Sequence, residues 1–126
     1  MTAAAALQNF FDEFMGTTGK AYVDTSIPDD VAYPYCTYQF RQASFGDSPV
    51  SITVYLWFYT ESEAIPNQRA NDLFDQIGIG GTTIRYDDGI MWLTRGTPWC
   101  VPVNDSTIKD VRGRYININV EYLSAR

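Results

Sequence analysis

The chain has no histidine and only two cysteines among its 126 residues. The missing histidine removes the commonest general base at neutral pH and the commonest metal ligand together. Cys36 and Cys100 cannot make a zinc site alone. Each lies in an apolar stretch, PYCTY and PWCVPV, and reads as a buried, reduced thiol rather than half of a disulfide. Positive charge is scarce too: 9 Lys and Arg stand against 15 Asp and Glu, a formal net charge of −6. The basic residues are scattered, so a surface that grips nucleic acid by its phosphates is not expected. The longest unbroken apolar run, Val54 to Tyr59, is far too short for a membrane-spanning helix. The N-terminal MTAAAALQNFF has neither a basic start nor a long apolar run, so no secretion signal is expected.

What is present suits one soluble-type domain covering 1–126. Hydrophobic residues make up 45% and charged residues 19%, enough apolar material for a core without covalent staples. Aromatic content is high at 15%. It concentrates in one stretch, VSITVYLWFY (50–59), which alternates strictly. Val50, Ile52, Val54, Leu56 and Phe58 point one way; Ser51, Thr53, Tyr55, Trp57 and Tyr59 point the other. One small core can cover only one of these faces.

Leu7, Phe10, Phe11, Phe14 and Met15 recur at helical spacing and predict an amphipathic helix stopped by Gly16. A short strand is expected at 21–23, then a turn at Pro28-Asp-Asp. Tyr35 to Arg41 predicts a strand, paired antiparallel with 50–59 across the loop QASFGDSP (42–49). A second helix is expected to place Ile65, Ala70, Leu73, Phe74 and Ile77 on one face, with Ser62 at its N-cap, Pro66 early and Gly78 at its end. Thr82 to Tyr86 and Ile90 to Arg95 form a hairpin around Asp87-Asp-Gly89. Arg95-Gly-Thr-Pro98 reads as a further turn into a strand from Trp99 to Val103. Arg114 to Leu123 closes the domain with Ile116, Ile118, Val120 and Tyr122 inward and Asn117, Asn119 and Glu121 outward. The fold class expected is α+β: a mainly antiparallel sheet of about five to six strands with two helices packed on one face. Strand 50–59 belongs in its centre, aliphatic side to the helices and aromatic side to the open face.

No constellation of residues carries chemistry. Asp29-Asp30 and Asp87-Asp88 sit at turns, where aspartate is favoured by local hydrogen bonding, so neither metal nor cofactor is expected. Gly78-Ile-Gly-Gly81 follows a helix, whereas phosphate loops precede one. No base is placed beside a nucleophile, so catalysis is not expected. Tyr55, Trp57 and Tyr59 suit a broad protein contact, with Phe45 in the polar loop as a second contact point. A small ligand-binding module that uses the aromatic face is the alternative.

The order of elements resembles a family. YPYCTYQF, an aromatic strand, a helix rich in Asn, Asp and Gln, then YDDGI (86–90), RGTPW (95–99) and a final strand YININVEY (115–122) are similar to the tail terminator proteins of long-tailed bacteriophages, also called minor capsid or tail completion proteins. The resemblance covers residues 5 to 123. It implies a homo-hexameric ring that caps the tail tube, stops its polymerisation and offers the docking surface for the head. The implied partners are further copies of the chain, the tail tube protein and a head-completion protein, with DNA passing through the ring unbound and no membrane involved. The implied location is the virion tail or neck, assembled in the host bacterial cytoplasm. Head-completion or stopper proteins of the phage neck share this character.

Overall fold

The structure is a computed structural model and describes residues 1–124. The chain begins with α1 (Ala3–Met15), followed by β1 (Lys20–Val23), β2 (Tyr35–Tyr38) and β3 (Val50–Tyr59). Then come α2 (Ala64–Ile77), β4 (Thr82–Tyr86), β5 (Gly89–Asn104) and β6 (Val111–Ser124). The six strands form one curled sheet in the order β1-β2-β3-β6-β5-β4. Only β1 and β2 run parallel; every other neighbouring pair is antiparallel. This is the α+β architecture expected, with β3 and β6 as the central pair.

Each helix is set by local chemistry. In α1 the Thr2 hydroxyl accepts the Ala5 N–H, and Gly16, at φ 60°, donates back to the Asp12 carbonyl. Its stripe of Leu7, Phe11, Phe14 and Met15 is buried, with Phe10 at the margin. The helix touches β1 and β2 at one edge of the sheet and β4 at the other, so it closes the mouth of the curl. Gln8 of α1 donates to the Ala21 carbonyl, which satisfies a free acceptor on the β1 edge. Helix α2 lies on β3, β5 and β6. Between the helices and the sheet sit Ile52, Val54, Leu56, Met91, Leu93, Ile116, Ile118 and Val120, all fully buried.

Several boundaries differ from the sequence expectation. β2 ends at Tyr38 instead of Arg41, because the Gln39 side-chain carbonyl takes the Thr53 N–H that a continuing strand would have paired. Arg95-Gly-Thr-Pro98 does not turn the chain. It is a bulge in one long β5, where pairing to β6 shifts between Arg95 and Cys100. Asn117 holds the bulge against β6: its side chain donates to the Pro98 carbonyl at 2.8 Å, while Gly96 packs on its backbone. In α2 the buried residues are Pro66, Ala70, Leu73 and Ile77, and Ile65 is 54% exposed. Ile65 precedes Ala70 by five residues, which at 100° each puts it well off that face. Phe74 is half-buried at the margin, and Ser62 caps only by accepting the Ala64 N–H, with Glu63 in the cap position.

Arg114 is the main surprise in the core. The β6 alternation turns it inward and leaves it 1% exposed. Its donors are met by the Glu63 carboxylate, by Asn67 Oδ1 at 2.8 and 3.1 Å, and by the Gly113 carbonyl at 2.7 Å. Buried charge survives only with such pairing. The group also pins the start of α2 to the sheet.

Candidate functional site

Both helices occupy one side of the sheet, so the residues of opposite parity face out on the other. Register fixes which they are. From the first strand in the sheet to the last, the central part of that face reads Tyr35 and Thr37, then Ser51 to Tyr59 by twos, then Gly113 to Glu121 by twos, then Val103, Val101, Thr94 and Trp92. Among the strand positions on this face, only Lys20, Arg85 and Glu121 carry charge, and none lies beside Tyr55 or Trp57. A face this poor in charge is unusual in a chain that is 19% charged.

The aromatic residues on it are packed on one another. Tyr55 and Trp57 stack at 5.9 Å with an interplanar angle of 7°, and Tyr115 meets Tyr55 edge-on at 5.3 Å. Tyr59 leans on Tyr33, which leans on Tyr35, and Tyr35 meets Tyr22. Trp57 lies flat because its neighbour across the strand is Gly113: a Cβ there would stand 2.7 Å from the ring and 2.9 Å from the Val103 methyl. The Tyr35 hydroxyl is pushed above the usual phenol value, first by burial and then by Tyr33 and Asp105. It stays protonated and neutral, which keeps this part of the face uncharged.

At the far end of β3 the face rolls into an open groove of about 460 Å³. Tyr33, Pro34, Phe58, Tyr59, Ile65 and Arg69 line it. Tyr59 is 63% exposed, so the groove keeps apolar surface in contact with water. Arg69 adds little free charge there. It donates to the Phe14 carbonyl and to Asp72, and stacks 4.2 Å over the Phe14 ring.

Of the four residues singled out by sequence, the structure brings Tyr55, Trp57 and Tyr59 onto one face and separates Phe45 from them. Phe45 is 46% exposed at the opposite end of β5, its ring edge resting near Gly89. Sequence reading missed Tyr22, Tyr33, Tyr35 and Tyr115, which extend the patch. Tyr35 and Tyr115 were marked only by their parity, which gains meaning once the register is known. Cys36 is buried as expected, but Cys100 is only half-buried, since it emerges where the bulge ends; both are free thiols. The acidic pairs are taken up locally or exposed: Asp87 binds the amino terminus, and Asp29 and Asp30 face solvent. Among the described residues no three His, Cys, Asp or Glu gather as a metal cluster, and no helix is long and apolar enough to cross a membrane. The site therefore offers stacking and apolar contact. Compared with known proteins, the chain matches no protein-family model, no curated protein and no solved structure.

Proposed function

We propose that the chain is a structural assembly protein of a phage virion, a tail terminator that acts as a ring of identical copies. The observation that carries the reading is the uncovered sheet face, aromatic and nearly free of charge, with Trp57 laid flat on Gly113. Charge depletion with Tyr and Trp enrichment is the composition of an interface core. Tyr55, Trp57 and Tyr115 are held by each other, and Tyr35 by Tyr33 and Tyr22, before any partner arrives, which lowers the ordering cost of association. In this role the ring would cap the tail tube, stop its growth and present a surface to the head-completion protein. An acidic chain suits a ring through which DNA slides without sticking. The neck position of a stopper protein would use the same face, and the tail terminator is preferred on the resemblance over residues 5 to 123.

A ligand-binding module is the second reading, and the groove beside Tyr59 favours it by size, since small-molecule sites span roughly 300–1,000 Å³. Against it, the charged group of that groove is already engaged by Asp72 and the Phe14 carbonyl. The test is solution mass combined with negative-stain imaging, with and without purified tail tubes. Rings, free or seated on tube ends, support the proposal. A strict monomer that leaves tubes uncapped and binds a small sugar or peptide overturns it.

A further inference from the structure

A sheet that does not close on itself ends in two edge strands, here β1 and β4. Each edge presents a row of backbone N–H and C=O groups on which another chain can add a strand. In β1 the parity is settled by Asp24, just past its end, which donates to the Tyr38 carbonyl of β2 at 2.8 Å. Ala21 and Val23, of opposite parity, therefore face away from β2. Both of their carbonyls are used inside the chain: Gln8 Nε2 donates to Ala21 at 2.9 Å, and the Ser26 N–H donates to Val23 at 3.0 Å. In β4 the connection to β5 is the two residues Asp87 and Asp88, which makes Tyr86 and Gly89 a hydrogen-bonded pair. Thr82 and Ile84 share the parity of Tyr86 and bond to β5. Thr83 and Arg85 turn their backbone groups outward.

One helix stands at both edges. α1 touches β1 and β4, and its Gln8 supplies the bond that closes the Ala21 carbonyl. At β4 the cover is looser. A hollow of about 330 Å³ separates Ala6, Phe10 and Glu13 of α1 from Thr82 to Arg85. The shorter margins of the sheet are closed by other means. Where β3 runs past β2, the Gln39 side chain accepts the Thr53 N–H and Arg41 Nη1 donates to the Ser51 carbonyl. Where β5 runs past β4, Pro102 has no N–H to offer.

We infer that α1 is a guard over both edges of the sheet, an autoinhibitory contact that keeps copies of this chain from adding to one another strand to strand. An unguarded edge pairs with any extended backbone, and in a solution of one protein that backbone is the edge of a second copy. β1 is sealed by bonds, whereas β4 is protected by cover alone, so pairing starts at β4 when the cover thins. The inference does not rest on the aromatic face, which is the broad outer surface of the sheet; α1 suppresses a rival mode of association at its rim.

Hydrogen exchange at single amides, followed over a range of protein concentration, tests it. In the parent the Thr83 and Arg85 amides should exchange at rates independent of concentration. Phe10→Ala trims the wall of the hollow, keeps a good helix former in α1 and leaves the buried Leu7, Phe11, Phe14 and Met15 in place. A melting curve verifies that this variant is folded. The expected result is slower exchange at both amides as concentration rises, with faster sedimentation than the parent. Thr83→Pro in the same background should return both readings to the parent's, because it removes an outward N–H and spares the pairing with β5. A folded Phe10→Ala chain that exchanges and sediments like the parent overturns the inference. So does association that survives Thr83→Pro, or protection in the parent that grows with concentration. Should Phe10→Ala fail to fold, Gln8→Ala frees the Ala21 carbonyl and is read at the Ala21 and Val23 amides: protection that grows with concentration supports the guard, and parent-like exchange overturns it.

Discussion

Replacing Gly113 by Ala tests whether the aromatic face is held in advance of any partner. Gly113 does not have a positive φ, so alanine fits its backbone and the effect is purely one of space. The new Cβ would stand 2.7 and 2.8 Å from two Trp57 ring carbons and 2.9 Å from the Val103 Cγ2. Carbon contacts settle near 3.5–4.0 Å, so the ring must rise by about 1 Å and tilt off Tyr55. Overpacking of this kind costs about 1–3 kcal/mol. With an unfolding entropy of about 0.26 kcal/mol/K for a chain of this length, Tm should fall by about 4–11 °C. Near-ultraviolet circular dichroism, which reads the Tyr55–Trp57 stack, should weaken with it. In a Trp57→Ala background the same substitution should cost less, because both ring contacts are gone and only the Val103 methyl must give way. An unchanged Tm and spectrum, or an equal cost in the Trp57→Ala background, would refute the reasoning.

Val54→Asp places a carboxylate among fully buried Ile52, Leu56 and Ile116 and should unfold the domain, with a loss above about 4 kcal/mol seen by denaturant titration; a folded variant would contradict the assigned core face. Glu63 is held below its ordinary value of 4.5, first by the hydrogen bond from Arg114, so its contribution is whole above that value and is lost as pH falls through the folded-state value. The Tm gap between parent and Glu63→Gln should therefore be widest near neutral pH and close in acid; a gap independent of pH would exclude that linkage. Burial pushes the Cys36 thiol far up and the half-buried Cys100 thiol moderately up, with Arg114 partly opposing the latter. A thiol reagent should label Cys100 slowly in the native protein and Cys36 only on unfolding, as read by mass spectrometry, and equal labelling of both would argue against this burial.

Local periodicity made much of the fold legible. The α1 stripe, the two faces of β3 and the inward residues of β6 are all written in spacing alone. The failures share one cause, dependence on distant residues. RGTP carries turn chemistry, and it bulges instead of turning because Asn117 of β6 holds both of its ends. Arg114 obeys the β6 alternation, yet its burial makes sense only once Glu63 and Asn67 are known to lie above it. Ile65 was assigned to the buried face of α2 by its character, while the phase set by Ala70, Leu73 and Ile77 excludes it. Within the candidate site, Tyr55, Trp57 and Tyr59 were legible as a strand face. Tyr33, Tyr35 and Tyr115 join them only through register and a loop, which no local pattern encodes.

The central claim is that the uncovered aromatic face is a contact between copies, and Tyr55→Glu tests it most directly. The side chain is half-buried on the open face, away from the helices and from Arg114, so a carboxylate there stays in reach of water. It would be desolvated only when a neighbour covers it. Sedimentation velocity on parent and variant, each alone and with tail tubes, gives the answer beside a melting curve. The account predicts a folded variant with a Tm close to the parent's that sediments as a monomer and leaves the tubes uncapped. A folded Tyr55→Glu chain that assembles and caps tubes as the parent does would contradict it.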